Sequence, residues 1–180
     1  MNPRAHSNAS LALKPASCEH ACDSAPLLDA CQRLALTGDA IDPGQRYYAG
    51  ERFLDHITFL GCAPHIQFTE QSDGSRFTHI IIHQCEQPVL FHGCHSRPPH
   101  CPRCNKASPV WRQHMENPHW PCHHCGQVSA ATSWHWRKTA GYARSLIEIT
   151  EVYPKEALPQ PALLAALQQH TGLAWDYFYF

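Results

Sequence analysis

The sequence predicts an α+β fold, a mostly antiparallel sheet with two short helices, interrupted by an inserted four-cysteine module. Three observations carry that prediction. Two segments repeat apolar residues at helical spacing between start and stop residues, several others read as strands, and the pairs "CPRC" and "CHHC" stand 17 residues apart.

At 180 residues the chain can bury a real core without staples. Residues 1 to about 23 are rich in Ala, Ser, Pro and Asn and lack periodicity, which predicts a mobile tail. A single α+β domain over 24–180 follows, with the module inserted at about 98–137. In the tail, Cys18, His20 and Cys22 could add ligands to a metal, but a lone trio in a flexible segment reads more simply as one without a structural role.

"SAPLLDACQRLALTG" reads as the first helix. Ser24 can cap it, Pro26 suits the first turn, Leu27, Leu28, Cys31, Leu34 and Ala35 share one face, and Gly38 ends it. Cys31 then reads as a small core residue. "PHIQFTE" and "RFTHIIIHQ" flank the turn signal Asp73-Gly74, so a hairpin is predicted from about Ile66 to Gln84, with "PVLFHG" as a third strand. After the cysteines come "TSWHWRK" and the strand-like "SLIEITEVY". "PQPALLAALQQHTG" is a second helix, opened by Pro161, closed by Gly172, and burying Leu163, Leu164 and Leu167. The terminal "LAWDYFYF" alternates aromatics on both faces and is expected to join the sheet.

No apolar run has the length of a signal peptide or membrane span, so a cytoplasmic protein without a membrane partner is expected. A reducing compartment makes metal ligation the better reading of ten cysteines than disulfides. The net charge of −1 is uneven. From Gly93 to Ile147 seven Lys or Arg face the single acid Glu116, a net +6, and the remainder carries −7. Such a block is either a surface for an acidic partner or one pole complementing the other.

A tetrahedral zinc needs four ligands about 2.3 Å away when they are thiolates, and a two-residue gap lets one tight turn aim two sulfurs at one point. Cys101/Cys104 and Cys122/Cys125 supply two such turns. The residue after each pair must tolerate positive φ, and Asn105 and Gly126 stand there. The intervening residues suit two short strands, "PVWRQH" and "HWPC", around "MENP". The segment resembles the zinc-ribbon fold group, whose mark is two CPxCG-like knuckles on hairpins, here "CPRCN" and "CHHCG", with Asn where the first knuckle of the pattern prefers Gly. The resemblance covers residues 101–125 and implies one structural Zn²⁺ in a four-cysteine site on a small β module. It implies no activity, because ribbons serve many functions. Redox dithiols fit less well, since neither pair opens a helix after a strand, and iron remains a chemical alternative to zinc.

A possible second metal site is drawn from His79, His83, Cys85, His92, Cys94 and His95, with His100 near by, set against a plain strand with a half-solvated His face. Cys62 and Cys94 each neighbour a glycine and are the candidate nucleophiles, though no HExxH, Walker A, GxGxxG or GxSxG motif accompanies them. No catalytic residue is assigned. For partner binding, Trp111, Arg112, Trp134, Trp136, Arg137, Lys138 and Arg144 interleave aromatic and basic groups, with Trp120 and Tyr142 among them. Trp134 and Trp136 can instead form the seam between module and sheet. The leading expectation is a non-catalytic zinc-ribbon adaptor presenting that surface to a macromolecular partner, protein rather than nucleic acid. A nucleic-acid-binding protein using the same surface is the alternative, and a metalloenzyme built on His79 to His100 is third.

Overall fold

The two β-branched runs "HIIIH" and "LIEIT" put Ile80, Ile82, Ile147 and Ile149 on one face of paired strands, because side chains alternate across a pleated strand. In the computed structural model, which describes residues 4–6, 9–43, 45–60, 66–70 and 76–180, all four lie in one buried core cluster. The chain passes through β1 (Arg4–His6), β2 (Ser10–Pro15), α1 (Ser24–Arg33), β3 (Thr37–Ala40), β4 (Arg46–Ala49), a single-turn α2 (Phe53–His56) and β5 (Ile57–Phe59). It continues through β6 (His79–Gly93), β7 (His119–Pro121), β8 (Val128–Ala130), β9 (Ala140–Thr150), β10 (Ala157–Pro159), α3 (Pro161–Thr171) and β11 (Trp175–Tyr179).

The main sheet runs in the order β11-β2-β9-β6-β4-β3, with β1 also paired to β6. The β1–β6 pair is parallel and the other neighbours are antiparallel. β5 pairs with β10 and β7 with β8. The predicted class is therefore the observed one, a mostly antiparallel sheet with two helices of more than two turns. α1 and α3 cover one sheet face through Leu27, Cys31, Leu163 and Leu167, with Gly172 in the left-handed conformation that closes α3. On the other face Ala12, Phe91, Leu146, Phe178 and Phe180 cluster. Among the described residues no helix is long and apolar enough to cross a membrane.

Four expectations are corrected. The tail expected over 1–23 is overturned at Ser10–Pro15, an interior strand hydrogen-bonded to β11 on one side and β9 on the other, where Leu11, Ala12 and Leu13 are fully buried. Further along, Ser145 Oγ accepts from the Cys22 N–H and donates to the Cys22 carbonyl. The hairpin from Ile66 to Gln84 does not form as drawn. Its turn lies outside the described residues, Ile66–Glu70 are not strand, and β6 pairs instead with β4 and β9. "PVLFHG" is no separate strand but the second half of β6, reached through a register shift between Gln84 and Val89 that contains Pro88. Finally, "PVWRQH" is no strand. Trp111–His114 forms a 3-10 turn, and β7 pairs across the second knuckle with β8. Pro109 suits a turn, and Trp111 is fully buried.

An interior β2 makes a sharp prediction. Leu13→Ala should lower the free energy of unfolding by about 2–5 kcal/mol, read from urea denaturation. A side chain in a mobile tail would change it by about 0.5 kcal/mol or less.

Candidate metal centre

The sequence "CPRCN" builds a turn that closes on itself. Asn105 N–H donates to the Cys101 carbonyl at 2.9 Å, and Cys101 N–H donates to the Lys106 carbonyl at 2.9 Å. "CHHCGQ" repeats the pattern, with Gly126 N–H to the Cys122 carbonyl and Cys122 N–H to the Gln127 carbonyl, both 2.8 Å. Each turn needs a left-handed residue after its second cysteine, and Asn105 (φ 56°) and Gly126 (φ 71°) take that conformation. Asn is among the few side-chain-bearing residues that visit it readily.

These two turns bring the four sulfurs together. Cys101 Sγ lies 3.9 Å from Cys125 Sγ, Cys104 Sγ lies 3.7 Å from Cys122 Sγ, and all four fall within 4.8 Å of one another. Four thiolates at about 2.3 Å from a tetrahedral ion would be separated by about 3.8 Å, so the constellation can hold a metal ion with little movement. Cys101 and Cys122 are buried and Cys104 and Cys125 half-buried. Burial raises the Cys101 thiol, but N–H groups of Cys104 and Arg103 and the neighbouring thiols outweigh it and hold its pKa down to about 7. At Cys104 the Lys106 N–H favours the thiolate, yet burial and the other three thiols push the pKa up to about 11. The quartet thus retains protons that a cation would displace.

Behind the cysteines stands an aromatic wall. Trp111 and Trp136 meet edge to face with centroids 4.9 Å apart, and Trp120 packs against Trp134 at 5.8 Å and Trp136 at 6.0 Å. With Cys101, Cys122 and Ala131 they rest on Leu90 of β6 and Ala140 of β9. The tryptophans are the seam between module and sheet. This corrects the partner-binding assignment of Trp111, Trp134 and Trp136, whose exposures of 0, 3 and 7% leave no ring face to present. The cations remain outside: Arg97, Arg103, Lys106, Arg112, Arg137 and Lys138 are exposed, while Arg144 is half-buried and donates to the Glu19 carbonyl at 3.2 Å. Arg112 stacks over Trp111 at 4.3 Å and Arg137 reaches Asn105 Oδ1 at 3.5 Å.

The structure does not assemble the second metal site. Among the described residues only the four cysteines gather three or more ligating side chains. His79 and Cys85 stand six residues apart along one strand, on the order of 20 Å. His79 Nδ1 lies 3.0 Å from the Phe77 carbonyl, His92 packs edge-on to Trp111, Cys85 joins the buried cluster with Phe91, and Cys94 and His95 are exposed. His100 Nδ1 lies 2.8 Å from the Asn105 carbonyl, outside the sulfur quartet. Cys62 lies outside the described residues. Cys31 is fully buried, and burial pushes its thiol up to about 12, so it is an unreactive packing group.

His83 belongs to a different constellation, which the sequence reading missed. Its Nε2 lies 2.6 Å from Glu148 Oε2, and Ser10 Oγ donates to Glu148 Oε1 at 2.7 Å, with all three side chains buried. Glu148 alternates with Ile147 and Ile149, so it occupies the opposite sheet face. The signal in the sequence was a lone acid inside an otherwise apolar run. Ser10, in the segment read as tail, gave no signal of its own.

Two outcomes follow from the knuckle geometry. Asn105→Val should weaken metal retention against a chelator, because a β-branched residue at φ 56° costs about 1–2 kcal/mol or more, whereas Asn105→Gly should not. Since bound thiols must be deprotonated, metal affinity measured by chelator competition should fall with pH by about tenfold per unit for each proton displaced.

Comparison with family models, with curated proteins and with solved structures finds no match to the chain. The functional reading therefore rests on the four sulfurs and the charged surface around them.

Proposed function

We propose that the protein is a non-catalytic binding or adaptor protein in which one structural Zn²⁺, held by Cys101, Cys104, Cys122 and Cys125, fixes a basic face towards an acidic protein partner. Four thiolates in tetrahedral array suit zinc and leave no coordination position for a substrate or water. Zinc would link folding of the module to metal, with binding energies on the order of 10 kcal/mol in small zinc domains.

The observation that carries the reading is the state of the cations. Of the six exposed Lys and Arg on and beside the module, only Lys138 has a carboxylate partner among the described residues, Asp176 at 3.4 Å. Among the described residues the acidic remainder therefore meets the exposed cations of this block at that one contact. Four thiolates around Zn²⁺ add about −2, which leaves the segment near +4. With the tryptophans buried, the face lacks the stacking platforms on which single-stranded nucleic acid is held, and this favours a protein surface rich in Asp and Glu over RNA or DNA.

Elemental analysis of the purified protein should give one zinc per chain, lost in the Cys101→Ser/Cys125→Ser variant. Iron instead of zinc, or two metals, would refute the metal assignment. For the partner, affinity capture with wild type and with Arg103→Glu/Arg112→Glu should recover an acidic protein whose retention drops about tenfold or more in the variant and at high salt. Retention equal in both proteins would refute the basic-face reading. Tight, steeply salt-dependent binding of single-stranded nucleic acid, weakened by the same substitutions, would transfer it to nucleic acid.

A further inference from the structure

At the foot of the module the chain from Trp136 to Thr139 makes a four-residue turn closed by Thr139 N–H to the Trp136 carbonyl at 3.0 Å. Both central residues have positive φ, Arg137 at 49° and Lys138 at 62°, the signature of a type I′ turn. Such turns are ordinarily filled by Asn-Gly or Gly-Gly, because a Cβ is disfavoured there. Two long cations at these positions make the turn worse, not better. Their presence calls for a gain elsewhere, and strained backbone of this kind concentrates at ligand clamps.

The turn forms one wall of a cavity of about 810 Å³, within the range of about 300–1,000 Å³ of small-molecule sites. Across from it is the loop that joins β9 to β10, where Lys155 also has positive φ, 70°. Arg97 completes a set of four cations around the cavity, and among the described residues no Asp or Glu side chain lines it, although Phe180, the last residue of the given chain, does. The apolar part of the lining is equally unusual. Leu60, Tyr153 and Leu158 line the same cavity with exposures of 56, 55 and 36%, three of the large hydrophobic residues that the fold leaves in solvent. The turn is held from both sides: Tyr179 N–H donates to the Lys138 carbonyl at 3.0 Å, and Arg97 N–H donates to Thr139 Oγ1 at 3.2 Å. Lys138 Nζ rests 3.4 Å above the Tyr177 ring and 3.4 Å from Asp176, while neither Arg97, Arg137 nor Lys155 has a carboxylate partner among the described residues.

We infer that this cavity binds a small amphiphilic anion, a carboxylate or phosphate head held by Arg97, Arg137, Lys138 and Lys155 with an apolar body against Leu60, Tyr153 and Leu158. Apolar burial would supply affinity and the charge-assisted hydrogen bonds would select the head. This goes beyond the proposed adaptor role and does not depend on it. The two readings share only cations at the edge of the basic face.

Calorimetric titration of the full chain with decanoate, decyl phosphate, decanol and inorganic phosphate tests the site. One or both anionic amphiphiles should bind with a stoichiometry of one, about tenfold or more tighter than decanol and than inorganic phosphate. Which of the two is tighter identifies the head. Arg137→Asn/Lys138→Gly restores the residues that the turn favours, so its Tm should rise while affinity for the anion falls about tenfold or more and that for decanol stays the same. Lys155→Asn, which keeps a residue tolerant of positive φ, should weaken the anion alone. Equal binding of decanoate, decyl phosphate and decanol, anion binding unchanged in the stabilised turn variant, or no binding of either anion at about 1 mM would each overturn the inference. None of these readouts uses the acidic partner, so this site can fail while the adaptor reading stands, and the reverse.

Discussion

The antiparallel pairing of β6 with β9 is the constraint on which the rest of the structure depends. Its register runs from Ile80↔Ile149 to His92↔Ala140, so one end lies under the helices and the other delivers the chain into and out of the cysteine module. Holding His92 beside Ala140 closes the excursion between them, which lowers the entropic cost of bringing the two CxxC turns together. The same ladder divides the molecule into faces. Ile80, Ile82, Ile147 and Ile149 turn to α1 and α3, while His83 and Glu148 turn to the opposite face. A buried carboxyl group is tolerated there because a hydroxyl and an imidazole both reach it.

The aromatic and basic residues of the module are a case where one pattern has two physical origins. Trp134, His135, Trp136 and Arg137 alternate buried and exposed along the chain. Read as composition, the interleaving of rings and cations resembles a nucleic-acid surface. Read as burial, it is the ordinary division between a core-facing and a water-facing side, with indoles in and charges out. The rings join the module to the sheet because so small a unit buries too little surface to make a core of its own, and four tryptophans supply large area per residue.

What the sequence made legible were features whose cause is local. The knuckles were readable because Asn105 and Gly126 answer a φ requirement set by their own turns, and α3 because Pro161 and Gly172 mark its ends. Local signals failed where pairing partners lie far away in sequence. "SLALKP" contains Ala, Lys and Pro and has weak strand propensity, yet it is buried between β9 and β11 because those distant strands present apolar groups on both sides. "RYYA" became β4 for the same reason. Pro88 was a sound sign of interruption, but the interruption is a shift of register inside one strand and not a strand end. The dispersed histidines do not gather into a ligand set among the described residues. Spacing along a strand fixes a shared face and says nothing about a second strand bringing ligands across, and here His79 meets Tyr48 and Thr150, His83 meets Leu146 and Glu148, and His92 meets Ala140.

Cysteine cluster, aromatic wall and strained turn form one mechanical chain. The sulfurs fix the knuckles, the knuckles seat Trp120 and Trp136 against Trp111, and Trp136 is the residue from which the Arg137-Lys138 turn springs. Arg137 also reaches back to Asn105 in the first knuckle, so the turn is referenced to the metal site through both its backbone and its side chain. A turn with unfavourable residues keeps its shape only when its surroundings over-determine it. Here Trp136 is buried on one side and β11 is hydrogen-bonded on the other. A four-cysteine cluster that could hold a metal ion can therefore decide where cations stand some residues away.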